Sequence, residues 1–189
     1  MEAKLTALTT AIKYGPHLKT IGSGAVRYLK GQHFSGSAKL MDTNDSYADP
    51  ASGDLSAALL KENQVIMAGK GNRQVAWAYR AGAGPCIASS LFYVLTVRTK
   101  LVDPRYLALV LNTASCGRAL SAVAKGATVP VIPKRELGNL SVKIPAMPEQ
   151  LKAIKLNDLQ NRRKRLLREI AELNELLDGA HLEQLINQA

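Results

Sequence analysis

Short apolar runs separated by turn-forming residues fill the first 148 positions of the chain. Val65–Ala68 is apolar throughout, which predicts a buried strand. Val75–Tyr79 predicts a second strand, so that Gly69–Gln74 becomes the loop of a hairpin. Leu91–Arg98 is rich in β-branched and aromatic residues and predicts the clearest strand of the chain.

Helical patterns follow these strands. Asp103 is a suitable N-cap and Pro104 a suitable first residue for a helix whose apolar positions recur at spacings of three and four until Asn112. Later segments predict, in order, a second short helix, an extended stretch and a strand: Gly117–Lys125, Val129–Pro133 and Leu140–Ile144. Strands and helices mix without strict alternation, which predicts an α+β fold with a mixed twisted sheet and short helices, with an irregular α/β domain as the alternative.

The composition changes at Pro148, after which there is no further proline and Gly179 is the one glycine. Apolar positions then alternate spacings of three and four over about three and a half heptads, the pattern of a coiled-coil seam. Its positions, with one polar member, are Leu156, Leu159, Arg163, Leu166, Ile170, Leu173, Leu177 and Ala180. We therefore predict two domains, residues 1–147 and a long C-terminal helix at 148–189.

The predicted helix needs a partner surface. Glu149–Asp178 would be roughly 45 Å long at about 1.5 Å per residue, longer than a small domain is wide. A second copy of the helix is the simplest cover for the seam, although packing on its own domain remains an alternative. Gly179 is expected to end or kink the helix, and His181–Gln188 to form a further turn or two.

Charge separates the two parts of the chain. The net charge is +10, but residues 149–189 contain seven basic and seven acidic residues. The other 148 residues hold 18 basic and 8 acidic side chains. A localised positive excess attracts polyanions, which favours nucleic acid as the partner over an anionic membrane or a generic basic surface.

Basic and amide side chains of the first part form three groups suited to DNA. Arg and Lys donate to guanine, Asn and Gln pair with adenine, and other cations neutralise phosphates. The candidate DNA-binding residues are Arg27, Tyr28, Lys30, Gln32 and His33; Lys70, Asn72, Arg73 and Gln74; and Lys125, Thr128 and Lys134. For each group, a solvated basic loop is the competing interpretation.

Catalytic and metal-binding patterns are scarce in the sequence. No glycine-rich phosphate loop or Gly-x-Ser-x-Gly turn occurs, and the three histidines lack metal-ligand spacing. Cys86 and Cys116 are predicted to be reduced core thiols. Without a signal peptide or 18 consecutive apolar residues, a soluble cytoplasmic protein is expected. A carboxylate site remains open only within the polar segment that holds Asp42, Asp45, Asp49 and Asp54.

The order of several segments resembles the DNA specificity (S) subunits of type I restriction–modification systems. These segments are Tyr14–Lys19, Val26–Phe34, Leu59–Gly71, Ala88–Val94, Asp103–Ala108, Gly126–Lys134 and Val142–Gln150. Asn63-Gln64 departs from the Gly-Asp usual in that family, so the turn before the Val65 strand is expected to differ.

The resemblance implies half of a two-domain design. Family members carry two target-recognition domains separated by two antiparallel helices that dock the modification subunits. One domain and one helix therefore imply a complete half-length subunit that forms a homodimer and recognises two inverted half-sites. The chain itself would be non-catalytic and bind no cofactor. S-adenosylmethionine would bind the partner DNA adenine methyltransferase subunit, and a restriction subunit is a further partner.

Three other functions stay open. A coiled-coil scaffold protein would bind no DNA, and a stand-alone DNA-binding regulator would need no methyltransferase. A small nucleic-acid enzyme would place a carboxylate or histidine cluster in a cleft, with residues 42–54 as the place to look.

Overall fold

The computed structural model describes residues 2–36, 38–41, 43, 45–126 and 128–187, so the predicted site residue Asp42 lies outside it. The chain divides into two compact units, Met1–Gln150 and Leu151–Ala189. The first is called the globular unit below and the second the helical unit.

The described part of the globular unit contains ten strands: β1 Glu2–Lys4, β2 Thr9–Tyr14, β3 Thr20–Ile21, β4 Arg27–Leu29, β5 Tyr47–Ala48, β6 Gln64–Ala68, β7 Ala76–Ala78, β8 Cys86–Ala88, β9 Phe92–Val97 and β10 Ser141–Lys143. The α-helices are α1 Leu5–Leu8, α2 Pro104–Leu111, α3 Ala114–Val123, α4 Lys134–Asn139 and α5 Met147–Asn187. Short 3-10 turns occur at Gly31–His33, Pro50–Ser52, Ser56–Ala58 and Ala81–Ala83.

The strands form two four-stranded sheets and one two-stranded sheet. The main sheet has the order β2-β9-β6-β7, and a second has the order β3-β5-β4-β8, in which β4 runs parallel to β8. The last is the pair β1–β10. This mixture of sheets and helices, with a long helix at the C-terminal end, confirms the predicted α+β class.

The main sheet is buried on both faces, which explains why β6 is apolar at successive positions. Val65 and Met67 share a buried cluster with apolar residues of α1, α2 and α3, whereas Ile66 packs on the other face with Leu29 and Phe34. Alternate residues of a strand point to opposite faces, so a run of apolar residues indicates cover on both sides. Helices cover one face and residues of the second sheet the other.

The strongest local predictions are confirmed. β6 and β7 pair antiparallel, and the connecting loop contains Gly71 with φ +92°, a conformation that glycine adopts without a steric penalty. Asp103 caps α2 by accepting a hydrogen bond from the Arg105 amide at 2.8 Å. The next helix begins three residues before the predicted Gly117, because the Thr113 hydroxyl accepts from the Cys116 amide.

The first 14 residues contribute elements that local pattern did not predict. β1 pairs with β10, and β2 forms an edge of the main sheet against β9. The Leu5 amide donates to the Leu140 carbonyl at 2.9 Å, which ties the chain's start to its later part. These pairings join positions about 80 to 140 residues apart. Such contacts depend on the assembled fold rather than on propensity.

The prediction that Gly179 ends the last helix is wrong. α5 continues through Gly179 to Asn187, so the residues from His181 to Asn187 belong to the same helix, and Gln188 lies outside the described residues. A glycine inside a helix costs about 1 kcal/mol relative to alanine, and it is tolerated where good helix formers surround it. Among the described residues, no helix is long and apolar enough to cross a membrane.

Candidate nucleic-acid interface

The first predicted group supplies both surface side chains and buried supports. Lys30 and Gln32 reach solvent, whereas Tyr28 is 3% exposed and His33 2% exposed. A side chain this buried offers almost no surface to a partner, so the structure corrects the assignment of Tyr28 and His33 as contact residues. Arg27 is half-buried, and its Nη2 donates to the carbonyls of Met41 and Thr43, both at 3.1 Å.

His33 holds this group together through a fixed tautomer. The Lys30 amide donates to Nδ1 at 3.0 Å, so the ring proton of the neutral imidazole lies on Nε2. Nε2 then donates to Asp45 Oδ1 at 2.7 Å, and the Gln32 amide donates to the other Asp45 oxygen at 2.9 Å. The hydrogen bond from His33 contributes most to holding the pKa of Asp45 below its ordinary value. One carboxylate therefore orients Gln32 and His33 together.

The hairpin loop between β6 and β7 joins the first group. Arg73 Nη2 donates to the Phe34 carbonyl at 2.5 Å, and Nη1 donates to the Gly31 carbonyl at 3.5 Å. Two groups about 40 residues apart in sequence therefore form one surface. Asn72 is exposed in the loop beside Arg73.

Gln74 is turned inward, contrary to the prediction that it lies at the loop tip. Its side-chain amide donates to the Leu111 carbonyl at the end of α2. It therefore fastens the loop to the helix layer and has less freedom to pair with a base. A cavity of about 170 Å³ lies beside the loop, lined by Asn72, Arg73 and residues of α3.

Lys70 connects the loop to the third group and to an aromatic pair. Its Nζ lies 5.3 Å from the centre of the Tyr14 ring, within range of a cation–π contact. Tyr14 stacks on Tyr93 with 4.2 Å between ring centroids. Val131 forms β-bridges with both Lys70 and Lys125, which brings the third group beside the loop.

Tyr14 is a surface residue beside Lys70 that was not among the predicted DNA-binding residues. It is 43% exposed, and its hydroxyl is hydrogen-bonded to that of Tyr93. Because Tyr93 donates to the Ile132 carbonyl at 2.7 Å, the Tyr14 hydroxyl is the donor in the tyrosine pair. Burial, more than the neighbouring tyrosine, raises the pKa of Tyr93. In the sequence, Tyr14 was named only as the first residue of Tyr14–Lys19, one of the segments that resemble type I S subunits.

The rest of the third group is exposed but less closely connected. Thr128 is exposed, and Lys134 is exposed at the first residue of α4. Within the described ranges, no hydrogen bond or ion pair joins Lys134 to the other two groups.

The carboxylates of residues 42–54 have structural partners where the structure describes them. Asp49 accepts from the Ala51 amide at 2.9 Å, and Asp54 accepts from the amide and hydroxyl of Ser56. The hydrogen bond from the Ser56 amide contributes most to lowering the pKa of Asp54. In the described part of the chain, no group of three or more His, Cys, Asp or Glu side chains could hold a metal.

Both cysteines are buried and free, as predicted. Burial raises the pKa of the Cys116 thiol to about 11 and also raises that of Cys86. A thiol with a raised pKa is a poor nucleophile at neutral pH.

The fold is that of the S subunits of type I restriction–modification systems. The chain is similar to the S subunit from M. genitalium, with a TM-score of 0.64 and 15% identity over 93% of this chain and 42% of that one. It is also similar to the HsdS subunit from Thermoanaerobacter tengcongensis, with a TM-score of 0.66 and 16% identity over 91% and 45%.

A third solved structure, described as showing complex assembly and conformational transition of the type I system, gives a TM-score of 0.67 and 15% identity over 91% and 45%. The chain thus spans less than half the length of these subunits. The resemblance found in the sequence is confirmed at the level of the fold. No family model and no curated protein sequence matches the chain.

Proposed function

We propose that this chain is a non-catalytic specificity protein that recognises one half of a bipartite DNA site for a type I restriction–modification system. The observation that carries the proposal is the fold match over 91–93% of the chain to S subunits. The basic surplus of the first 148 residues supports it, because a positive surface supplies most of the affinity for the DNA backbone.

The exposed surface formed by the joined groups is the proposed DNA contact. Asn72 has the donor and acceptor that pair with an adenine edge, and the Arg73 N–H groups not donated to the Gly31 and Phe34 carbonyls are available to guanine. Lys30, Lys70 and Lys125 supply cations beside them, which suits contact with phosphates. Tyr28, His33 and Gln74 act indirectly, by holding the segments that carry these side chains.

Homodimerisation through the helical unit would give the protein two recognition domains. The apolar members of the heptad seam from Leu156 to Leu177 are 44–59% exposed. Side chains of this type and spacing are stabilised by burial in a second helix. Isologous pairing of two copies would make the recognised DNA site an inverted repeat, since each copy reads the same half-site.

Additional apolar side chains beside the seam support a further partner. Leu167 and Leu176 flank the heptad positions and are 54% and 70% exposed. They widen the stripe beyond the a and d positions that a two-helix coiled coil needs. We assign this added surface to the DNA adenine methyltransferase subunit, which would carry S-adenosylmethionine and perform the methylation. A restriction subunit would join the same complex.

Light scattering of the purified chain, alone and with a candidate adenine methyltransferase subunit, tests the assembly. The expected results are a dimer alone and a larger complex that methylates adenines at an inverted-repeat site. Methylation of a plasmid library, mapped by sequencing, would identify that site. A monomer that neither captures the methyltransferase nor binds DNA would contradict the proposal.

Asn72→Ala tests whether the hairpin loop reads a base. Against the identified site, the variant is expected to lose about 1–3 kcal/mol of discrimination at one base position, as for other bidentate base contacts. Asn161→Ala, which removes an exposed asparagine from the helical unit, is the control and should leave base preference unchanged. Equal weakening on every DNA sequence would instead assign Asn72 to the backbone.

A further inference from the structure

A cleft of about 360 Å³ in the globular unit is lined mainly by basic and hydroxyl-bearing side chains. Its walls come from the segment around His17 and Thr20, from Lys30 and Lys70, and from the turn at Ser89–Leu91. We propose that this cleft binds one phosphate of the DNA backbone, an inference that rests on the proposed function and adds a specific site to it.

The charge of the cleft favours an anion. Lys30 and Lys70 both line it, together with the imidazole of His17, and no Asp or Glu is among the lining residues in the described ranges. Lys30 Nζ donates to Thr20 Oγ1 at 3.3 Å, and Lys70 lies over the Tyr14 ring. Within the described part of the chain, neither ammonium forms a salt bridge with a carboxylate. Their charge is therefore not neutralised by the protein.

Ser89 supplies a second, independent feature. It lines the cleft and is 6% exposed, yet its hydroxyl has no hydrogen-bond partner among the described residues. Buried hydroxyl groups are nearly always hydrogen-bonded, so an unpaired one requires an explanation. Rotation of the Ser89 side chain towards the cleft would let a phosphate oxygen accept this hydrogen bond.

The backbone around the cleft is firmly held. The Ser89 amide donates to the Leu29 carbonyl at 3.0 Å, and the Ser89 carbonyl accepts from the Phe92 amide at 2.9 Å. Tyr28, buried below, donates its hydroxyl to the Pro16 carbonyl at 2.7 Å and accepts from the Leu18 amide at 3.3 Å. Two walls of the cleft are thus fixed before any ligand binds, which reduces the entropic cost of binding.

A backbone phosphate fits the position of the cleft better than a base does. Lysine acts as a point charge towards phosphate, whereas base recognition depends on planar or paired donors. The cleft shares Lys70 with the hairpin loop that carries Asn72 and Arg73. A phosphate held there would set the register of the DNA and leave the loop to read the bases.

The salt dependence of DNA binding tests the site. We would compare Lys30→Gln, Lys70→Gln and the double variant on a duplex of arbitrary sequence. Each neutralised phosphate contributes about 0.9 to the slope of log K against log salt. If both lysines hold one phosphate, the double variant should lower the slope by about 0.9. A loss of about 1.8 would mean two separate phosphates, and an unchanged slope would mean none; either overturns the proposal.

Lys100→Gln is the matched control, because Lys100 is an exposed lysine that does not line the cleft. Adding Lys100→Gln to the double variant should change the slope of log K against log salt by the same amount as Lys100→Gln changes it in the parent. Cleft variants should weaken binding equally on all sequences. A change in base preference would contradict a phosphate contact.

Ser89→Ala separates binding from folding. Titration of the full chain with inorganic phosphate, followed by amide chemical shifts of residues 89–91, should show binding that weakens about tenfold in Ser89→Ala, the effect of losing one hydrogen bond to a charged group. The variant should melt no lower than the parent, because it removes an unpaired buried hydroxyl. A lower melting temperature with unchanged phosphate binding would overturn the role of Ser89.

The two experiments distinguish failure of the site from failure of the function. DNA binding with an unchanged slope in the double variant would remove the phosphate site and leave the proposed function standing. Inorganic phosphate could shift the amide signals of residues 89–91 only when Lys30 and Lys70 are present, in a chain that does not bind DNA. That result would contradict both the proposed function and the assignment of the phosphate to DNA.

Discussion

The globular and helical units differ in how far their leucine side chains are buried. Leu95 in β9 is fully buried, whereas Leu166 and Leu173 in α5 are 44% and 59% exposed. In the globular unit, apolar side chains from distant segments cover one another. The helical unit forms its backbone hydrogen bonds locally, and the apolar seam of residues 156–177 remains exposed. The difference shows that the first unit has its core within the chain, whereas the apolar seam of the second is exposed, which is the basis for the proposed dimer.

Charge follows the same division. The basic surplus lies in the first 148 residues, and the residues from 149 onward are balanced. A balanced surface avoids repulsion between two copies of a helix, while a positive surface favours DNA. The proposed assembly and the proposed DNA binding therefore fall on different parts of the chain, and substitutions in one part should leave the other intact.

The largest effect is expected from charges placed in the seam. Leu166→Glu combined with Leu173→Glu should raise the dissociation constant of the dimer at least about 100-fold, because two carboxylates would be buried without partners. Light scattering over a range of concentrations measures the change. Asn161→Glu with Ala171→Glu adds the same charge outside the heptad seam and should keep the dimer. Retention of the dimer by the seam variant would contradict the coiled-coil assignment.

A core substitution in the globular unit should cost stability rather than assembly. Leu95→Ala removes a fully buried side chain and is expected to lower the free energy of unfolding by about 2–5 kcal/mol. Urea titration followed by fluorescence of Trp77, the single tryptophan, measures it. Leu177→Ala in the exposed seam is the matched control and should change unfolding of the globular unit by less than about 0.5 kcal/mol. Equal losses would mean that the units are not independent.

A smaller and pH-dependent effect is expected at the cap of α2. Burial alone would raise the pKa of Asp103, but hydrogen bonds from Arg105 outweigh it and lower that pKa below its ordinary value of 3.8. A lowered folded pKa stabilises the fold above the unfolded pKa, and the contribution is lost as the pH falls through the folded value. Asp103→Ala should therefore cost about 1 kcal/mol near neutral pH.

Asp103→Asn separates the cap from the charge, because it keeps an acceptor oxygen and removes the carboxylate. The loss of unfolding free energy in Asp103→Asn should be smaller than in Asp103→Ala. It should shrink as the pH of the urea titration falls below 3.8, where the Asp103 carboxylate of the parent becomes protonated. A deficit that stays constant between pH 6 and pH 3 would show that the charge contributes nothing.

The local sequence pattern was sufficient to predict an element that is long or is bounded by clear capping and turn residues. β6, β9 and α2 were predicted because their apolar periods, caps and flanking turns act over fewer than ten residues. The strands β3, β4 and β5 have only two or three residues each and depend on pairing with distant segments. No local signal distinguishes such strands from loops, so they could not be predicted.

The candidate site was predicted in part for the same reason. Composition selected Lys70, Asn72 and Arg73, which reach solvent in the structure, but it could not show that Tyr28 and His33 point inward. Burial in so short a strand and turn is decided by what packs on them. Ser89 was missed because nothing in its sequence neighbourhood indicates a buried, unpaired hydroxyl.

The sequence by itself determined the seam of the long helix and the separation of charge, because heptad spacing and net charge are properties of consecutive residues. It did not determine where the helix ends, since neighbouring helix formers outweighed Gly179. Only the tertiary structure decided which basic groups meet. Arg73 reaches the Phe34 carbonyl across 39 positions, and Lys30 and Lys70 line one cleft. These contacts join segments far apart in the sequence, which come together because the second sheet packs on one face of the main sheet.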